Sequence, residues 1–128
     1  MDLDKPKKIF IVDDDTMLTE ALKDYLTRRT LNEIRIFNTG EECLKHLTAK
    51  PDVIILDYYL NSVQKDAADG MEILQVIRKH YPDIHVIMLS SQDHYAIALQ
   101  TLQKGAEQYV IKDKEAFGKI ESMIRELN

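Results

Sequence analysis

Two stretches decide how this chain is read: Ile9-Phe10-Ile11-Val12-Asp13-Asp14-Asp15 and Asp52-Val53-Ile54-Ile55-Leu56-Asp57. Each is an unbroken run of β-forming apolar residues that ends on carboxylates. Unbroken rather than alternating runs predict strands covered on both faces, as in a parallel sheet. Similar runs at Ile34–Phe37, Ile84–Leu89 and Gln108–Ile111 complete a set of five, and Met1–Lys8 reads as a polar arm ahead of the first.

Helical periodicity fills the intervals. Met17, Leu18, Ala21, Leu22, Tyr25 and Leu26 recur at three- and four-residue steps, with Glu20, Lys23, Asp24 and Arg28 facing away. Further helices are expected within Thr39–Ala49, over Gly70–His80, over Asp93–Lys104 closed by Gly105, and over Lys114–Leu127. Strands alternating with helices specify an α/β fold, a doubly wound sheet in one domain over residues 1–128. No repeat or linker interrupts it. The last helix reaches the end of the chain, so the expectation is a single domain whose output passes through another protein.

Composition narrows the function. The 128 residues are 45% hydrophobic and 30% charged, with only four Gly and three Pro, which excludes disordered and low-complexity classes. There are 17 Lys+Arg against 22 Asp+Glu, a net charge of −5, which argues against direct nucleic-acid binding. Cys43 is the single cysteine; it has no disulfide partner or zinc spacing and is expected in the core. No apolar run approaches the roughly 18–20 residues of a membrane span, and the start is too polar for a signal peptide. A small soluble cytoplasmic protein is expected.

In doubly wound sheets, ligands bind beyond the carboxyl ends of the strands. The first strand is followed by Asp13-Asp14-Asp15, the third by Asp57, the fourth by Ser90-Ser91 and the fifth by Lys112. Separately these have ordinary explanations: Asp14-Asp15 as a helix cap, Ser90 as a turn residue, Lys112 as a surface lysine. Together they specify a site. Two carboxylates about 4 Å apart repel by about 4 kcal/mol at an effective dielectric near 20, so the cluster calls for a hard cation, and an oxygen-only set suits Mg²⁺. A lysine and a hydroxyl opposite it suit a phosphoryl group, and an Asp can accept that group covalently.

With these pieces in place the chain resembles the receiver domain of two-component response regulators over nearly its whole length. The matching segments are the two quoted above, Asp69-Gly70-Met71-Glu72-Ile73-Leu74, Val86-Ile87-Met88-Leu89-Ser90 and Gly105-Ala106-Glu107-Gln108-Tyr109-Val110-Ile111-Lys112. The resemblance implies a flavodoxin-like (CheY-like) (βα)5 fold with strand order 2-1-3-4-5. It implies that Asp57 takes a phosphoryl group from a phosphohistidine on a sensor histidine kinase or histidine phosphotransfer protein. Asp13, Asp14, Asp57 and the backbone carbonyl of Tyr59 would hold Mg²⁺, and Lys112 and Ser90 would contact the phosphoryl group. Tyr109 would be the switch aromatic that follows Ser90. A downstream protein would read the face of the fourth helix, fifth strand and fifth helix. Tyr95, at the start of the fourth helix, is a candidate contact there. A homodimer through that helix fits the family, although no residue pattern argues for it.

Two departures stand out. Tyr58 through Asp69 is about five residues longer than the usual loop and lacks its Pro. Two readings of Asn61–Ala68 stay open: a tolerated surface insertion, since doubling a loop costs only about 0.6 kcal/mol, or a lid that tunes partner choice or phosphate lifetime. Asp113 stands where many receivers carry a cis Pro, so the Lys112–Asp113 bond is expected to be trans, or else strained. The competing function is a Mg²⁺-dependent phosphatase acting through an aspartyl phosphate. Such enzymes place a second Asp two residues after the nucleophile, and Tyr59 occupies that position here, so no enzyme activity on external substrates is expected. A phosphorylation-independent interaction domain is the third option. His46, His80, His85 and His94 show no metal-ligand spacing.

Overall fold

The computed structural model describes residues 5–60, 68–91 and 94–127. Five strands, β1 (Lys8–Val12), β2 (Glu33–Phe37), β3 (Val53–Asp57), β4 (His85–Ser90) and β5 (Gln108–Ile111), form one parallel sheet. Its order is β2-β1-β3-β4-β5, as the resemblance implied. The helices are α1 (Thr16–Thr27), α2 (Gly40–Leu44), α3 (Gly70–His80), α4 (Tyr95–Gln103) and α5 (Ala116–Glu126).

The unbroken apolar runs are explained by burial on both sheet faces. Phe10, Val12, Ile54, Leu56, Val86 and Met88 pack with Cys43 and Leu47 and with Ile73, Leu74 and Ile77 of α3. The alternate residues Ile9, Ile11, Val53, Ile55, Ile87 and Leu89 pack with Leu22 and Leu26 of α1 and Ala116, Ile120 and Ile124 of α5. β3 is buried at every position, as expected of a central strand. Cys43 lies in the core, where burial pushes its thiol up to about 12.

Some boundaries differ from the periodicity. The segment expected to be helical within Thr39–Ala49 is α2 followed by a 3-10 turn at Leu47–Ala49, ended by Lys50 in the left-handed region at φ 55°. The fourth helix begins at Tyr95 and the fifth at Ala116, two residues after the expected starts at Asp93 and Lys114. In the fifth, Asp113 takes up the chain first: its Oδ1 accepts from the Glu115 amide at 2.9 Å and its carbonyl from the Ala116 amide at 3.1 Å. No peptide bond among the described residues is cis, so the Lys112–Asp113 bond takes the trans form. Residues 61–67 lie outside the described residues, and with them both readings of the long loop.

Candidate functional site

The Asp run after β1 divides its work. Asp15 caps α1, its Oδ1 accepting from the Leu18 amide at 3.1 Å. Asp13 extends the sheet by donating its amide to the Phe37 carbonyl, and its Oδ1 accepts from the Asp15 amide at 2.9 Å. That turn leaves Asp13 Oδ2 pointing into the edge of the sheet. The capping explanation thus holds for Asp15, while Asp13 and Asp14 turn their carboxylates toward Asp57.

β3 delivers Asp57 beside it. Asp13 is 1% and Asp57 3% exposed. Carboxylate oxygens of Asp13, Asp14 and Asp57 lie within 4.8 Å of one another. Lys112, one residue past β5, reaches in from the other side: its Nζ is 3.0 Å from Asp13 Oδ2 and 3.3 Å from Asp57 Oδ1. Its own amide donates to the Ser90 carbonyl at 2.8 Å, which ties the ends of β4 and β5 together. Ser90 is fully buried at the end of β4, one residue beyond Leu89, the register partner of Asp57. Tyr109 is half-buried on β5 opposite Met88 and packs against the α3 side of the core. Tyr59 donates its amide to Asp57 Oδ1 at 3.3 Å.

The electrostatics are those of a site short of positive charge. Burial, then the neighbouring Asp13, push the Asp57 carboxyl up to about 6 despite the opposing pull of Lys112. Burial alone would push the Lys112 ammonium down, but the facing Asp57 and Asp13 carboxylates outweigh it and hold it above its ordinary value. Asp13 Oδ2 is buried without a hydrogen bond, although the Lys112 ammonium pairs with it by charge. A buried carboxylate oxygen short of donors, beside two more acids, fits a hard divalent cation.

The structure thus brings Asp13, Asp14, Asp57, Lys112 and the Tyr59 backbone to one edge of the sheet, with Ser90 at the neighbouring strand end. The histidines do not join them. His85 Nδ1 instead lies 2.7 Å from Glu107 Oε1, at the opposite ends of the strands. Sequence reasoning assigned no role to Tyr58 or Gly70, yet the Gly70 amide donates to the Tyr58 carbonyl at 2.9 Å, immediately behind Asp57. The signal available was the loop between them, whose unusual length raises the question of what holds its ends.

An acid-lined crevice at the carboxyl edge of a 2-1-3-4-5 sheet places the chain among doubly wound α/β domains with a site at the strand ends, and comparison with known proteins gives the family. The model of the response regulator receiver domain matches residues 9–125. A Bacillus subtilis protein named "Probable C4-dicarboxylate response regulator DctR" is 35% identical over 113 residues, 84% of this chain and 46% of its own. The alkaline phosphatase synthesis transcriptional regulatory protein PhoP of the same organism is 29% identical, over 93% of this chain and 49% of its own. Among solved structures, the BeF3-activated DrrB receiver domain superposes with a TM-score of 0.79 at 25% identity, covering 95% of this chain and 97% of that one. The receiver domain of NtrX from Brucella abortus shares the fold with a TM-score of 0.80 at 24% identity, over 93% and 97% of the two chains.

The chain belongs to the response regulator receiver domain family, a signalling module of two-component systems whose members act with histidine kinases and downstream targets. It spans about half the length of these two curated relatives. Several relatives are named as transcriptional regulators, so the expectation of no direct nucleic-acid contact draws no support from them. No helix among the described residues is long and apolar enough to cross a membrane.

Proposed function

We propose that Asp57 accepts a phosphoryl group from a phosphohistidine on a sensor kinase or phosphotransfer protein, and that the resulting charge switches which protein this domain binds. The observation that carries the reading is the placement of Lys112 Nζ between Asp13 Oδ2 and Asp57 Oδ1, with Asp14 alongside. In the transfer, an Asp57 oxygen forms a bond to phosphorus as the bond to the donor imidazole nitrogen breaks. The Tyr59 amide orients the Asp57 carboxylate. Lys112 follows the new negative charge, and the Ser90 hydroxyl donates to a phosphoryl oxygen, with Tyr109 moving into the space that Ser90 vacates.

Asp13, Asp14, Asp57 and the Tyr59 carbonyl are the proposed Mg²⁺ ligands. When bound, Mg²⁺ supplies the positive charge that offsets the carboxylates and the phosphoryl oxygens. The finer parts of the reading are a cytoplasmic setting, turnover limited to the domain's own phosphorylation and dephosphorylation, and a protein rather than a duplex as the immediate target. The net charge of −5 supports the last, and the names of the relatives support a role further down in gene regulation.

Incubation with Mg²⁺ and acetyl phosphate should give an acid-stable, base-labile gain of one phosphoryl mass that is absent from Asp57→Ala. A protein that gains no mass, or an Asp57→Ala variant that still does, would overturn the assignment. Asp13→Ala and Asp14→Ala should weaken Mg²⁺ binding, and unchanged affinity would refute their role.

A further inference from the structure

Behind Asp57 the chain makes a closed neck. It leaves β3 with the Tyr58 amide donating to the Leu89 carbonyl at 3.0 Å, and returns at Asp69-Gly70 to the same place. Three contacts fix the return. The Gly70 amide donates to the Tyr58 carbonyl at 2.9 Å, and the Ala68 amide to Glu41 Oε2 at 2.9 Å. The third is a capping box at the start of α3, in which Asp69 Oδ1 accepts from the Glu72 amide at 2.9 Å and Glu72 Oε1 from the Asp69 amide at 3.2 Å.

The Tyr58 carbonyl and the Tyr59 amide belong to one planar peptide unit, and in a trans unit they point in opposite directions. Gly70 holds the carbonyl side of that plane, and the other side gives its N–H to Asp57 Oδ1. The approach is also too close for a side chain. A Cβ built on Gly70 would fall on the Asp57 carbonyl oxygen, 2.7 Å from Tyr58 Cα and 3.0 Å from the Tyr58 carbonyl oxygen. Those obstacles are backbone and cannot swing aside. We propose that Gly70 is a positioning residue for phosphoryl transfer: its amide and its missing side chain set the rotation of the Tyr58–Tyr59 peptide plane, and hence the aim of Asp57. The neck fixes the acceptor whatever the length of the loop beyond it.

The inference rests on the reading of Asp57 as phosphoacceptor, and the test separates the two. Gly70→Ala is compared with Gly40→Ala, where the three atoms nearest the added Cβ all belong to the Ile73 side chain rather than to the backbone at Asp57 and Tyr58. Both are followed by thermal melting and by the rate of acetyl phosphate labelling as a function of Mg²⁺. Gly40→Ala should lower Tm and leave the labelling rate within about twofold. Gly70→Ala should lower the rate at saturating Mg²⁺ on the order of 10- to 100-fold. A folded Gly70→Ala protein that labels like the wild type overturns the proposal, as does an equal loss in Gly40→Ala. Amide exchange on the wild-type chain decides the neck without any variant: slow exchange at Gly70 supports it, and exchange at the rate of an open loop overturns it. A wild type that takes no phosphoryl group sinks the acceptor reading instead, and the exchange result still judges the neck.

Discussion

Helices α3 and α4 flank the same sheet, yet they are held in opposite ways. α3 buries Gly70, Ile73, Leu74 and Ile77, opens on a complete capping box and carries Arg78, Lys79 and His80 in its last turn, where cations suit the helix dipole. α4 buries only Thr101, has no side-chain cap at its start, and leaves Tyr95 82%, Leu99 43% and Leu102 42% exposed. Where apolar contacts are few, local opening is cheap. The element clamped behind the proposed acceptor is therefore the rigid one. The element that follows Ser90 is the loosely held one, and the cheaper of the two to open locally.

The largest test of this contrast is a pair of truncations. Leu74→Ala removes a fully buried side chain from the α3 core and should cost about 2–5 kcal/mol. Leu99→Ala on α4 should change stability by no more than about 0.5 kcal/mol. Urea unfolding of both variants checks this, and equal losses would erase the distinction.

A second test uses the charge that α3 is clamped against. Without Mg²⁺, burial and Asp13 raise the Asp57 carboxyl from 3.8 to about 6. A carboxyl raised by folding contributes stability that is fully present below about 3.8 and lost as pH rises through about 6. Above that pH the metal-free fold carries the penalty. Asp57→Asn should then stabilise it at pH 7.5 by on the order of 1–3 kcal/mol, a gain that vanishes below the unfolded value. With saturating Mg²⁺ the ordering should reverse, because only the wild type keeps the full ligand set. An Asn variant no more stable at pH 7.5 in chelator would show that Lys112 already balances the site. Asp69→Ala, which opens the capping box of α3, should cost about 1–2 kcal/mol in the same assay.

The same contrast explains what was legible in the sequence. α3 shows in the sequence because its signal is local: Met71, Ile73, Leu74 and Ile77 fall at helical steps. The carboxylates were legible because each sits directly after an apolar run, and strand ends in such sheets share an edge. The start of α4 was not, since its N-cap His94 makes no side-chain cap bond and the polar run before Tyr95 carries no apolar period to fix the boundary. The break between α2 and the Leu47–Ala49 turn was hidden by Cys43, Leu44 and Leu47 keeping helical spacing across it. The Gly70 contact was illegible for a different reason. It depends on a peptide plane about a dozen residues upstream, and no local pattern encodes a meeting across a loop of that length.

The smallest effect is the sharpest test of α4. The two ends of that helix differ. Its C-terminus is closed by the Ala106 amide on the Thr101 carbonyl at 3.0 Å and by Gly105 at φ 110°, a left-handed position suited to glycine. Its N-cap is His94, whose side chain accepts from no first-turn amide. The open end is thus the one nearer Ser90 in the chain. His94→Ser supplies a hydroxyl at the N-cap, where the His94 side chain makes no cap bond, and should raise stability by about 0.5 kcal/mol. The gain should appear as slower amide exchange confined to the first turn, at Ala96 and Ile97, with α3 unchanged. Slowing spread over the whole domain would mean that α4 opens only with global unfolding, and the two helices would then differ in composition but not in freedom.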